Sequence, residues 1–244
     1  MSRKWNNIKL KKGLLDRQKS ASYTKVLRDI SIAVKRGGPE IDSNFSLKMA
    51  MQKAREINLP KDNIEKAVKK ALGDTTAEYF DVNYECYGVE GVAIFVEAAT
   101  DNPTRTIGNV RAILNRWYGT LGKEGCLQFV FERKAVFTVK QEKLSVDDLT
   151  MELIDVGVED IEVEDEFLTI KGPVENYGEI QKKLEVLNIK IEESGLERLP
   201  LTSKEVSSKE AFDKILKLVD LLENDEDVRK VSHNMEYSEK FSIN

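Results

Sequence analysis

The 244-residue chain has one histidine, His233, and two cysteines, Cys86 and Cys126. A lone imidazole near the C-terminus supports neither a histidine-based triad nor a clustered histidine metal site, and it reads as structural or exposed. The cysteines lack CxxC spacing, which argues against zinc; each falls in a predicted strand, and both read as reduced packing residues, not a disulfide. No apolar run approaches the roughly 18 residues that span a bilayer. The opening MSRKWNNIKLKKG has no apolar stretch behind its bases, so a cytoplasmic protein without membrane contact is expected. Gly88, Gly91, Gly119, Gly122 and Gly125 spell neither a Walker A loop nor a dinucleotide fingerprint and read as turn residues. The acidic run Glu159, Asp160, Glu162, Glu164, Asp165, Glu166 lacks the glycine and ligand spacing of a calcium loop. It reads as a solvated sheet edge, or as a surface that repels phosphate or docks on a basic protein. No cofactor, metal or small-molecule substrate is expected.

What the chain does have is segregated charge. Residues 1 to 73 hold 18 Lys and Arg against 7 Asp and Glu, while the remaining 171 hold 20 against 36, so a net −5 conceals a dipolar molecule. A basic block this dense repels itself and is rationalised by an anionic polymer, which points to nucleic acid without separating DNA from RNA.

The hydrophobic rhythm divides the chain further. Residues 1 to 15 have too few apolar anchors for a stable helix and read as a basic arm ordered on binding. Three helices follow: one carrying Tyr23, Val26, Leu27, Ile30 and Val34 and ending at Gly37 and Gly38; one capped by Ser43 or Asn44; and one starting at Pro60 and stopping at Gly73. Lys48, Lys53, Arg55, Lys61, Lys66, Lys69 and Lys70 fall on the outside of the second and third. Beyond a polar linker the period becomes 2, with strands at 82–87 and 91–99, a helix begun by Asn102 and Pro103, and a strand at 126–134 whose Leu127, Phe129 and Phe131 alternate onto one face. Residues 135–201 read as βαββαβ, the ferredoxin-like order, and are strongly acidic. The tail supplies a helix and a strand that cannot bury their own apolar faces, so they are expected to return to the 79–134 sheet.

The expected fold class is therefore α+β with three domains: a basic helical domain over 1–78, a discontinuous α/β domain over 79–134 and 202–244, and an inserted acidic domain over 135–201. A monomer is expected.

The candidate nucleic-acid contacts are Arg3, Lys4, Trp5, Lys9, Lys11, Lys12, Arg17, Lys19, Lys25, Arg28, Lys35 and Arg36, because residues 1–36 carry 11 bases and only 2 acids to neutralise them. Trp5 either stacks on a base or docks on the helical domain. Thr100, Asp101, Asn102, Arg105, Arg111 and Arg116 form a second contact or an interdomain brace. Arg105 lies in a helix's first turn, where the partial positive charge disfavours a cation. It pairs with Asp101 or Glu97, or joins the free N–H groups in binding a phosphate, and the two readings coexist if Asp101 orients it. A hydrolase using Glu97 and Asp101 has no nucleophile, metal cluster or histidine to accompany it.

Four segments carry a family pattern: KWNNIK at 4–9, LPKDNIEKAVKKALG at 59–73, YECYGVEGVAIFVEAATDNPTRT at 84–106, and LLENDEDVRKVSHN at 221–234. Together they resemble the YebC family, described as probable transcriptional regulators and related to the mitochondrial translational activator of cytochrome oxidase. The resemblance implies a helical N-terminal domain, two α/β domains and a non-catalytic role in gene expression, as a DNA-binding regulator or as a translation factor working on the ribosome. The chain departs from the pattern at Ser2 and Arg3, where a Gly-His-Ser run is usual, and at Cys126, where serine is usual. No helix-turn-helix spacing or base-reading set of Asn, Gln and Arg stands out, so shape-based RNA recognition in the ribosome is the alternative to DNA.

Overall fold

The computed structural model describes residues 15–73, 78–141, 145–164 and 166–236, without the side chains of 15–22 and Glu164. They form an α+β chain with three N-terminal helices and two antiparallel four-stranded sheets. The chain divides into two compact units, one spanning 131–201 and the other holding the described residues on either side of it.

Helices α1 (Leu15–Gly37), α2 (Phe45–Glu56) and α3 (Lys61–Gly73) enclose one core, with Val26, Ile30, Ala33, Val34, Leu47, Ala50, Ala54, Leu59 and Ala71 buried. These positions recur every three or four residues, which puts them on one side of each helix. Gly38, at a φ of 81°, ends α1. Asn44 then closes the corner: its Oδ1 accepts from the Leu47 amide at 3.0 Å, and its Nδ2 donates to the carbonyls of Ala33 and Gly38 at 2.8 Å each. One amide side chain thus satisfies a helix start and the preceding helix end.

The first sheet has the order β3-β1-β2-β8, from β1 (Phe80–Tyr87), β2 (Ala93–Thr100), β3 (Thr120–Leu121) and β8 (Val228–His233). Its strand β2 is buried almost throughout, as a central strand covered on both faces must be. Helix α4 (Pro103–Arg116) contributes Val110 and Leu114 to the interior, and α7 (Lys209–Asn224) contributes Phe212, Ile215, Leu218 and Leu222. Gly119 lies where these parts meet: a Cβ there would fall 2.8 Å from Leu114, 3.1 Å from the Tyr87 carbonyl and 3.3 Å from Leu218.

The second unit runs β4 (Phe131–Lys140), α5 (Val146–Ile154), β5 (Asp160–Glu164), β6 (Phe167–Pro173), α6 (Tyr177–Val186), β7 (Ile191–Pro200). Its sheet order, β5-β6-β4-β7, is that of a ferredoxin-like βαββαβ fold. Phe137 and Tyr177 stack at 4.7 Å between ring centroids, and the Tyr177 hydroxyl bonds Ser194 at 2.8 Å. The acidic β5 is an edge strand, and Lys171 of the neighbouring β6 pairs with Asp160 and Glu162.

Two sequence expectations are corrected. Residues 126–130 are turn, not strand, and the fourth strand of the first sheet is the two-residue β3. Leu127 and Phe131 are buried, but Phe129 is 81% exposed. Glu85 explains the difference. Its buried carboxylate accepts from the amides of Gly125 at 2.7 Å and Leu127 at 2.5 Å, so the segment curls around an internal anion instead of pairing as a strand. Cys126 is consequently exposed, whereas Cys86 is buried, with its thiol pushed up to about 12 by that burial. Replacing Glu85 by Ala strands both amides and should cost about 2 to 4 kcal/mol. Urea unfolding monitored by far-ultraviolet circular dichroism checks this; a loss below about 0.5 kcal/mol, the range of neutral surface changes, would show that the loop is held by other means.

Candidate functional site

Asp227 immediately precedes β8, and its carbonyl accepts from the Ala99 amide of β2 at 2.9 Å. That pairing delivers its side chain to the end of β2 and the start of α4, where it is only 3% exposed. Asn102 caps α4 by accepting from the Arg105 amide at 3.0 Å, and Pro103 opens the helix. The cap fixes Arg105 and Thr106 in the first turn. The Arg105 guanidinium reaches Asp227 at 2.8 Å and Asp101 at 2.8 Å. The Thr106 hydroxyl lies 2.7 Å and the Thr100 hydroxyl 3.2 Å from the same Asp227 carboxylate.

A second cation arrives from α1. Arg28 donates to Asp227 at 2.8 Å and to the Glu226 carbonyl at 2.8 Å. Around it, Lys25 donates to the Glu223 carbonyl, and Arg36 bonds Asp81 and the Tyr79 carbonyl. Arg229 of β8 joins Asp29 of α1 at 2.6 Å to Asp81 of β1 at 2.9 Å. Helix α1 is therefore fastened to the first sheet by a row of ion pairs.

The titrations follow from these contacts. Burial alone would raise the Asp227 pKa, but hydrogen bonds from Arg105 and Thr106, with the charges of Arg105 and Arg28, outweigh it and hold the carboxyl below its ordinary value. Asp227 and then Asp101 raise the Arg105 pKa in turn. Burial lowers that of Lys25, against the carboxylates of Glu223 and Asp225.

Arg3, Lys4, Trp5, Lys9, Lys11 and Lys12 lie outside the described residues, as do the side chains of Arg17 and Lys19. Lys25, Arg28 and Arg36 have the intramolecular partners just given, and Lys35 is also engaged. Among the described bases of residues 1–36, Arg28 and Arg36 are answered by Asp227 and Asp81, acids far along the chain. Thr100, Asp101, Asn102 and Arg105 come together around Asp227, whereas Arg111 and Arg116 are exposed and in no ion pair among the described residues. Sequence reasoning missed Asp227 itself. The signal was present: an acid directly before the strand VRKV, with an unexplained arginine in a helix's first turn. Among the described residues no group of three or more His, Cys, Asp or Glu could hold a metal ion, and no helix is long and apolar enough to cross a membrane.

The fold and clamp define an α+β protein in which basic helices are joined ionically to a sheet domain. Residues 3–74 match the family described as the TACO1/YebC protein N-terminal domain, and residues 79–235 match the TACO1/YebC second and third domain. The chain belongs to the TACO1/YebC family. It is 44% identical over 214 residues to a probable transcriptional regulatory protein of Parabacteroides distasonis, covering 87% of this chain and 88% of that one. A protein of the same description from Persephonella marina is 39% identical over 239 residues, covering 97% and 96%. Among solved structures it resembles a conserved hypothetical protein of Aquifex aeolicus, with a TM-score of 0.81, 35% identity, and coverage of 92% and 93%.

Removing the carboxylate at Asp227 leaves two guanidinium groups without their shared anion, so Asp227→Ala should destabilise the protein by about 3 kcal/mol. Asp227→Asn tests the charge. Because the folded pKa is depressed, the stabilisation is complete above the ordinary aspartate value of 3.8 and is lost as pH falls through the lower folded value. The stability gap between wild type and Asp227→Asn, measured by urea titration at stepped pH, should stay constant above about pH 5 and close below about pH 4; a gap that widens on acidification contradicts the assignment.

Proposed function

We propose that this protein is a non-enzymatic, cytoplasmic, monomeric regulator of gene expression that binds nucleic acid through its basic helical region, and that its polymer is DNA in transcriptional control. The supporting observation is the excess of 11 positive charges on residues 1–73. The protein itself engages Lys25 through a carbonyl and Arg28 and Arg36 through carboxylates, but a segregated field of this size still favours a polyanion. Relatives described as probable transcriptional regulatory proteins support the same reading. Thr100, Asp101, Asn102 and Arg105 serve as the brace that holds the sheet domain to α1, with Arg111 and Arg116 as a peripheral contact.

One observation favours a second reading, a ribosome-associated translation factor. The exposed cations of α2 and α3 are six lysines and one arginine, which suit phosphates more than base edges, and structured RNA is recognised largely by shape and backbone. Fluorescence anisotropy of the full-length protein with a labelled DNA duplex and a labelled RNA hairpin, across a salt series from about 50 to 200 mM, tests both. Affinity for at least one probe should fall steeply, by about 10³-fold or more if six or more phosphates are contacted. Absence of binding to either in dilute buffer would end the nucleic-acid reading, and co-sedimentation with ribosomes that resists DNase would reject a purely transcriptional role.

A further inference from the structure

We infer that the phosphate-contacting surface is the outward side of α2 and α3, and that it grips the sugar-phosphate backbone of a nucleic acid and not its base edges. This rests on the nucleic-acid reading above, and it moves the interface away from α1, whose described cations are already engaged by the protein itself.

Helix α3 carries the strongest case. Ile64, Ala67, Val68 and Ala71 turn toward the three-helix core, and Lys66, Lys69 and Lys70 stand exposed on the other side. At spacings of three and four residues these lysines are neighbours within a single turn. Like charges so placed destabilise a helix by about 0.2 to 0.5 kcal/mol per pair. Asp62 and Glu65 precede Lys66 and Lys69 by four residues, the separation at which ion pairs form, yet no such pair joins them. The repulsion is therefore left for an external anion to relieve. Helix α2 adds Lys48 and Arg55, seven residues apart on one flank and both exposed, and among the described residues neither is in an ion pair.

The side-chain type narrows the partner. Lysine presents a compact point charge without the planar fork that reads guanine edges, so a lysine surface binds phosphates with little regard to sequence. From Lys66 to Lys70 the helix advances about 6 Å, and a duplex carries one charge per roughly 1.7 Å of axis, so several phosphates lie within reach of one turn.

The test compares two variants of the full-length protein with equal charge change, K66E/K69E/K70E on α3 and K123E/K182E/K217E at exposed lysines elsewhere. Each is titrated against the DNA duplex and the RNA hairpin. The α3 variant should lose more than about tenfold in affinity and flatten the plot of log affinity against log salt by about 2 to 3 in slope. The other should stay within about threefold of wild type. Loss confined to the duplex or to the hairpin supports the surface and names its polymer. Equal loss in both variants, or no loss in the α3 variant, overturns the surface while leaving nucleic-acid binding intact; failure of wild type to bind either probe removes both. The milder K66Q/K69Q/K70Q, with an unchanged circular dichroism spectrum and melting temperature, keeps a folding defect from imitating the result.

Discussion

A single buried carboxylate organises the junction between the basic helices and the first sheet. Asp227 accepts from arginines on two different elements, Arg28 of α1 and Arg105 of α4, and from the hydroxyls of Thr100 and Thr106. Burying a charge is costly unless it is paired and hydrogen-bonded, and here both carboxylate oxygens have donors. The arrangement also settles why an arginine sits in the first turn of a helix, where the N-terminal dipole disfavours it. Asp101 and Asp227 supply the opposing charge, and the Asn102 cap holds the turn in place for both.

The character of this junction differs from that of the cores it joins. The three helices share an apolar cluster of their own, and the sheet buries its apolar residues against α4 and α7. Between them lies a row of ion pairs involving Arg28, Asp29 and Arg36 on one side and Asp81, Asp227 and Arg229 on the other. Such contacts are specific in geometry. The surface members of the row, Arg36 and Asp81, are screened by salt far more than the buried Asp227 pair. The same side chains that would attract phosphate have thus been drawn inward by carboxylates, and the outward cations of α2 and α3 remain for solvent.

Much of the fold was legible because it follows from periodicity. The helical stripe through Val26, Ile30 and Val34, the cap at Asn44, the stop at Gly38 and the return of the tail strand to the first sheet all follow from local spacing and from the need to cover an apolar face. The misread segment was 126–130, where alternation of Leu127, Phe129 and Phe131 imitates a strand. Periodicity records which residues are apolar, not whether a carboxylate 42 positions earlier will capture the intervening amides, as Glu85 does with Leu127. The pairing around Asp227 was hidden in the same manner. Charge density along residues 1–36 was visible, but the acids that pair with Arg36 and Arg28 lie 45 and 199 residues away, and no local pattern announces a pairing of that range.

The same long-range logic explains how an acidic unit can interrupt the first sheet's sequence without interrupting its structure. Strands β4 and β7 open and close the inserted unit and pair along their length, with Phe131 opposite Pro200. The chain therefore leaves and re-enters at adjacent backbone positions, and the loop-closure cost to the surrounding fold is that of a short connection and not of seventy residues. Residues 131–201 carry 18 acids against 9 bases, so the insertion concentrates negative charge in a unit that closes on itself. Part of that negative charge is answered inside the unit, where Lys171 and Lys134 pair with the edge strand and its approach. On α3, by contrast, no carboxylate among the described residues closes on Lys66, Lys69 or Lys70, so their local positive field survives folding.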